Sequence, residues 1–71
     1  MVGREYIQHL TKGGEFLRDG RVGEARKELQ AALKMAPDDA KAQNLLGLAC
    51  FRAEEYGEAL SIYQKLVNGN P

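Results

Sequence analysis

Cys50 is the single thiol and His9 the single imidazole in these 71 residues, so any covalent or metal chemistry would have to start from one of them. A reactive cysteine needs a base or a cation beside it, and a metal needs three or four ligands at set spacing. Cys50 lies between Ala49 and Phe51 on an apolar stretch, where a small buried hydrophobe is the plainer reading. As the only cysteine it forms no intrachain disulfide. His9 has no second imidazole or thiol at helical spacing and reads as a surface histidine. Asp38-Asp39 and Glu54-Glu55 are acidic pairs at helix starts, where carboxylates cap backbone N–H groups. Gly13-Gly14 follows no strand and so cradles no phosphate. These readings exclude an enzyme and call for no cofactor and no metal.

Charge and length narrow the partners. Ten basic residues balance ten acidic ones, so neither nucleic acid nor an anionic membrane is expected to be attracted. No stretch approaches the ~20 apolar residues that span a bilayer. The opening Met-Val-Gly-Arg-Glu-Tyr lacks the basic start and apolar run of a secretory signal, which leaves the cytoplasm as the default compartment.

The elements that position these residues are four helices. Arg4 to Asp19 carries Tyr6, Ile7, Leu10, Phe16 and Leu17, with Gly13 and Gly14 in its interior. Each interior glycine costs ~1 kcal/mol relative to alanine, so one that stays suggests a close backbone approach. Gly20 then supplies a left-handed turn. Val22 to Met35 bears one apolar stripe, Val22, Ala25, Leu29, Ala32 and Leu33, and Pro37 stops it. Asp38 is expected to cap the third helix, Asp39 to Arg52 or Ala53, which is apolar on more than one side and therefore internal. Tyr56 to Val67 repeats the second helix's stripe as Tyr56, Ala59, Tyr63, Leu66 and Val67, and Asn68-Gly69-Asn70-Pro71 ends it. Short turns make sequence neighbours antiparallel.

The chain is written twice. Gly47, Ala59 and Pro71 each fall thirty-four residues after Gly13, Ala25 and Pro37, and Gly57-Glu58-Ala59 repeats Gly23-Glu24-Ala25. Such a period means stacked helix-turn-helix units. With Leu46-Gly47, Leu29 and Tyr63, and the terminating Ala36-Pro37-Asp38 and Gly69-Asn70-Pro71, the chain resembles a pair of tetratricopeptide repeats, 5–38 and 39–71. The implied fold is all-α, a four-helix fragment of an α-solenoid. In that family Gly13 against Ala25, and Gly47 against Ala59, would let paired helices cross closely. The departures, His9 and Lys12 at places usually large and apolar, imply a first helix that is loosely packed or covered by something outside this chain; Cys50 replaces a usual aromatic.

The resemblance also implies a non-catalytic, scaffold-like module that binds a protein or peptide in a concave groove, as part of a larger protein or assembly. Carried over by register, the groove takes Ile7, Leu10, Gly14, Leu17 and Arg18 from the first helix. The third helix adds Lys41, Asn44, Leu48, Phe51 and Arg52. An apolar ligand segment with acidic flanks fits this surface, oriented by Arg18, Lys41 and Arg52. Leu10 and Gly14 stand where some family members hold a C-terminal carboxylate, so that clamp is not expected.

The alternative is self-association. Tyr63, Leu66 and Val67 match residues that should pack on a following helix, and no fifth helix follows them. Either the sequence is the N-terminal piece of a longer protein or another copy covers the apolar end, as a homodimer. Between Arg52 and Tyr56 only Gly57 nearby opposes helix, so the third and fourth helices could fuse and exchange between chains.

Overall fold

A computed structural model describes residues 3–68, and all structural statements refer to these. The opening Met1-Val2 and the terminal Gly69-Asn70-Pro71, including Pro71 of the repeat signature, lie outside the described residues. Four helices follow one another: α1 (Arg4–Arg18), α2 (Val22–Met35), α3 (Ala40–Arg52) and α4 (Tyr56–Asn68). Among the described residues there is no strand. Each helix packs on its sequence neighbour, and α1 also touches α3, which is the order of two stacked hairpins.

The core is built from small residues and a few leucines. Leu17, Ala25, Leu29, Leu46, Ala49, Cys50 and Ala59 form one buried cluster; Tyr6, Ala32 and Ala42 form a second. α2 contributes to both, because its stripe faces α1 on one side and α3 on the other. Small residues allow this close layering. The Cβ of an alanine at position 13 would stand 2.7 Å from Cγ and Cδ2 of Leu29. At position 47 it would stand 2.9 Å from the ring of Tyr63. The side chains nearest to Gly13 and Gly47 are thus Leu29 and Tyr63. Tyr63 accordingly has a partner inside the chain, contrary to the expectation that it has nothing to pack on.

Both hairpins close in the same way. In the first, Gly20 N–H donates to Leu17 O at 3.1 Å and Arg21 N–H to Phe16 O at 2.8 Å. In the second, Glu54 N–H donates to Phe51 O at 3.0 Å and Glu55 N–H to Cys50 O at 2.8 Å. This pair of bonds satisfies the helix's last carbonyls and requires a left-handed residue at its centre. Gly20 supplies it at φ 82° and Glu54 at φ 63°. The structure therefore breaks the helix at Ala53–Glu55, where the sequence suggested that α3 and α4 could fuse. The backbone bonds, and the register they share with the first hairpin, hold Glu54 in a conformation that costs a side-chain-bearing residue roughly 1–2 kcal/mol. Replacing Glu54 by glycine is expected to stabilise the chain by about 1 kcal/mol, raising Tm by ~4–8 °C. Gly20→Ala should lower it by a similar amount. Thermal melts of the two variants check the pair; equal shifts of one sign would contradict the turn geometry.

The α3 N-terminus corrects another expectation. The helix starts at Ala40, so its cap is Asp39, whose carboxylate accepts from Ala42 N–H at 3.0 Å, and Asp38 is left exposed. The nearby phenol of Tyr6, then this bond, and to a smaller extent Lys41 hold the Asp39 carboxyl below its usual range.

Candidate functional site

Side chains that reach between helices decide which groups remain free. Arg26 of α2 pairs with Glu55 at 2.7 Å and with Glu58 at 3.3 Å, so it ties the first repeat to the start of α4. The Cys50 thiol donates to the same Glu58 carboxylate at 3.2 Å. His9 Nδ1 lies 2.7 Å from Glu28 Oε1, which joins α1 to α2. The histidine is thus half-buried and partnered, correcting the reading of it as a plain surface residue. Arg52 donates to the Leu17 carbonyl at 2.7 Å, tying the end of α3 to the end of α1.

These contacts do not activate the thiol. Burial and the adjacent Glu58 carboxylate push the Cys50 thiol up to about 11, the reverse of what a nucleophile needs. Burial, with Asp39 beside it, pushes the Tyr6 phenol up to about 12, although its hydroxyl makes no hydrogen bond of good geometry. No group of three or more potential metal ligands occurs among the described residues. None of the helices is long and apolar enough to cross a membrane. A raised acid pKa contributes stability below the unfolded value and loses it as pH climbs to the folded one. Stability should therefore fall from about pH 9 to 11 as the unfolded state ionises Cys50, and further from 10 to 12 through Tyr6. Cys50→Ala is expected to postpone the onset to about pH 10. Urea midpoints measured across this range for both chains give the answer.

The ten predicted groove residues divide into three sets. Ile7 and Phe51 are each 56% exposed, and Leu10, Gly14 and Leu48 are half-buried beside them in repeat register. Leu17, at 3% exposed, belongs to the core and supports the surface from beneath. Arg18, Lys41 and Asn44 are exposed, whereas the Arg52 guanidinium is held by the Leu17 carbonyl, which leaves Arg18 and Lys41 as the freer cations. Lys41 and Asn44 also line an open cleft of about 760 Å³ with Asp38, Gln43, Lys65 and Leu66. Part of the predicted groove therefore also borders the end of α4.

Among the self-association residues, Tyr63 and Leu66 are half-buried and Val67 is 74% exposed. Two exposed side chains beside them went unassigned in the sequence reading. Leu60 is 58% exposed, and Tyr56 stands edge-to-face with Phe51 at 5.4 Å between ring centres. The signal for Leu60 was present: with Ile62, whose counterpart is Glu28, it is an apolar residue of α4 that stands where the first repeat has a charge, Arg26, and of the two it is the exposed one.

The model of one protein family, described as tetratricopeptide repeat, matches residues 10–71. No curated protein and no solved structure matches the chain. The matched region takes in most of α1 and all of α2, α3 and α4, and the two hairpins repeat each other's turn geometry and glycine contacts. The chain belongs to the tetratricopeptide repeat family.

Proposed function

We propose that this chain is a non-catalytic interaction module that holds an apolar peptide or partner segment with acidic flanks on the face shared by α1 and α3. Repeats of this family act generally in protein–protein contacts, and the finer reading rests on one observation. Ile7 and Phe51, in groove register on the two inner helices, leave more than half of their surface uncovered in a chain with few such residues. Large apolar side chains left in water on the two helices that line a groove mark a contact surface. Arg18 and Lys41, exposed at its margins, select acidic flanks and speed encounter.

The probe is an immobilised library of roughly ten-residue peptides with apolar centres, half flanked by Asp or Glu and half by Lys. Acidic-flanked peptides should bind and weaken with salt. Ile7→Glu should lose binding by about tenfold or more, with helicity unchanged. A charge at the half-buried Leu10 or Leu48 should abolish it, subject to the same helicity check. Binding indifferent to Ile7→Glu and to flank charge would defeat the groove reading. Self-association through α4 uses an adjoining surface, which meets the groove where Tyr56 packs on Phe51, and leaves Ile7 clear.

A further inference from the structure

The outer side of α4 differs from that of α2 in one consistent way. Arg26, Lys27 and Lys34 of α2 have Leu60, Ser61 and Asn68 as their counterparts on α4. The only charged residues of α4, Glu58 and Lys65, lie on the other side of the helix, where Glu58 meets Arg26 and Cys50. What remains outside is an uncharged face carrying Tyr56 at 55%, Leu60 at 58% and Val67 at 74% exposure, with half-buried Tyr63 between them.

We propose that two copies of this chain associate through this face, with their α4 helices antiparallel about a two-fold axis. Three observations favour a second copy. The stripe Tyr56, Leu60, Tyr63, Val67 is spaced four, three and four, so it reads the same in both directions. Antiparallel copies then set Tyr56 against the partner's Val67 and Leu60 against the partner's Tyr63, a self-complementary contact. The second observation concerns head-to-tail stacking. At the register of buried Ala42, Leu46 and Ala49, the first repeat presents Gln8, Lys12 and Glu15. Docking that end on α4 would bury charges against apolar side chains, so an open chain of copies is disfavoured and a closed pair is left. The third is the tie between repeats. The Arg26 bridge to Glu55 and Glu58 has no equivalent beyond α4, because Leu60 stands in Arg26's place. The surface is thus adapted to a different contact from the one between the two repeats.

A 13-residue helix is about 20 Å long, so this face buries on the order of 400 Å² per copy. The total of about 800 Å² is below that of stable specific interfaces, so the pair is weak and forms and separates with concentration. The face adjoins the groove at Phe51, which packs on Tyr56, but the groove's test residues Ile7 and Leu10 lie on another helix, so the two readings fail separately.

The test is sedimentation equilibrium of the whole chain in reductant, from about 10 μM to 1 mM. Apparent mass should rise from 7.9 kDa and level at twice that value. Leu60→Glu, and Leu60→Arg, which copies the residue the first repeat carries there, should each weaken the dimer by about tenfold or more. Circular dichroism confirms that the helices persist. Glu54→Gly should leave the dimer intact, since surface packing does not need the hairpin to open. A monomer at 1 mM, a mass that climbs past the dimer, or a dimer untouched at Leu60 would each overturn the proposal. So would loss of the dimer in Glu54→Gly, which would point to helix exchange.

Discussion

Truncating Leu29 to alanine is expected to leave much of the protein unfolded at 25 °C. Leu29 is fully buried in the larger core cluster, with Leu17, Ala25, Ala49 and Cys50 around it. Removing such a side chain costs ~2–5 kcal/mol, and the amount depends on how far neighbours can close the gap. Here they close it poorly. The atom facing Leu29 across the helix pair is the α-carbon of Gly13, which has no side chain to swing inward. A chain of this size holds only about 5 kcal/mol in total, so the loss is comparable with the whole. Tyr63→Ala removes the counterpart on Gly47 but should cost less, because Tyr63 is only half-buried and part of its gap opens to water. Urea titrations followed by circular dichroism rank the two; a milder Leu29→Ala would mean that the α1–α2 contact can collapse.

The fold was legible because the sequence states it twice. Helix limits, the internal position of α3 and the left-handed Gly20 all follow from local patterns of three to seven residues and from the period. What could not be read is what crosses between helices without a period. His9 finds Glu28 nineteen residues away and Arg52 finds the Leu17 carbonyl thirty-five residues away. Nothing in the local pattern marks either pair, since a charged residue on an outer face looks alike whether or not it meets a partner. The Glu54 turn was misread for a related reason. Residue preference at one position is worth about 1 kcal/mol, and the closing backbone bonds with the packing of two helices outweigh it. The Asp39 cap was displaced by one residue, where two adjacent aspartates offered the same chemistry and only the helix start distinguishes them.

The candidate site was legible in register but not in exposure. Leu17 and Phe51 are equivalent by period, yet one is 3% and the other 56% exposed. The second repeat covers the first, and none of the described residues covers the second in the same way. A repeat sequence assigns equivalent positions; burial depends on the neighbours each copy has. The same asymmetry makes Leu60 conspicuous only when it is set beside Arg26 and the carboxylates Arg26 meets.

The adjacent glycines of α1 give the sharpest separation of local preference from packing. Both lie inside a helix, where alanine is favoured over glycine by ~1 kcal/mol. A Cβ at Gly14 would meet nothing within 4 Å, so Gly14→Ala is expected to stabilise the chain by about that amount. At Gly13 the new methyl would stand 2.7 Å from Leu29, which is fully buried and has no room to retreat. Overpacking of this kind costs ~1–3 kcal/mol, enough to exceed the helical gain. Gly13→Ala should therefore destabilise, and the two neighbouring substitutions should differ by about 2 kcal/mol. The sign at position 13 should reverse once Leu29 is gone. In the Leu29→Ala background the added methyl enters the space vacated and keeps its helical advantage, so Gly13→Ala becomes stabilising there. Urea midpoints of the four chains, each also carrying the stabilising Gly14→Ala and Glu54→Gly changes so that the Leu29→Ala chains fold, form a double-mutant cycle, and the coupling between the two sites should be about 2 kcal/mol. A cycle that closes additively would mean that Gly13 is kept for some reason other than the approach of Leu29.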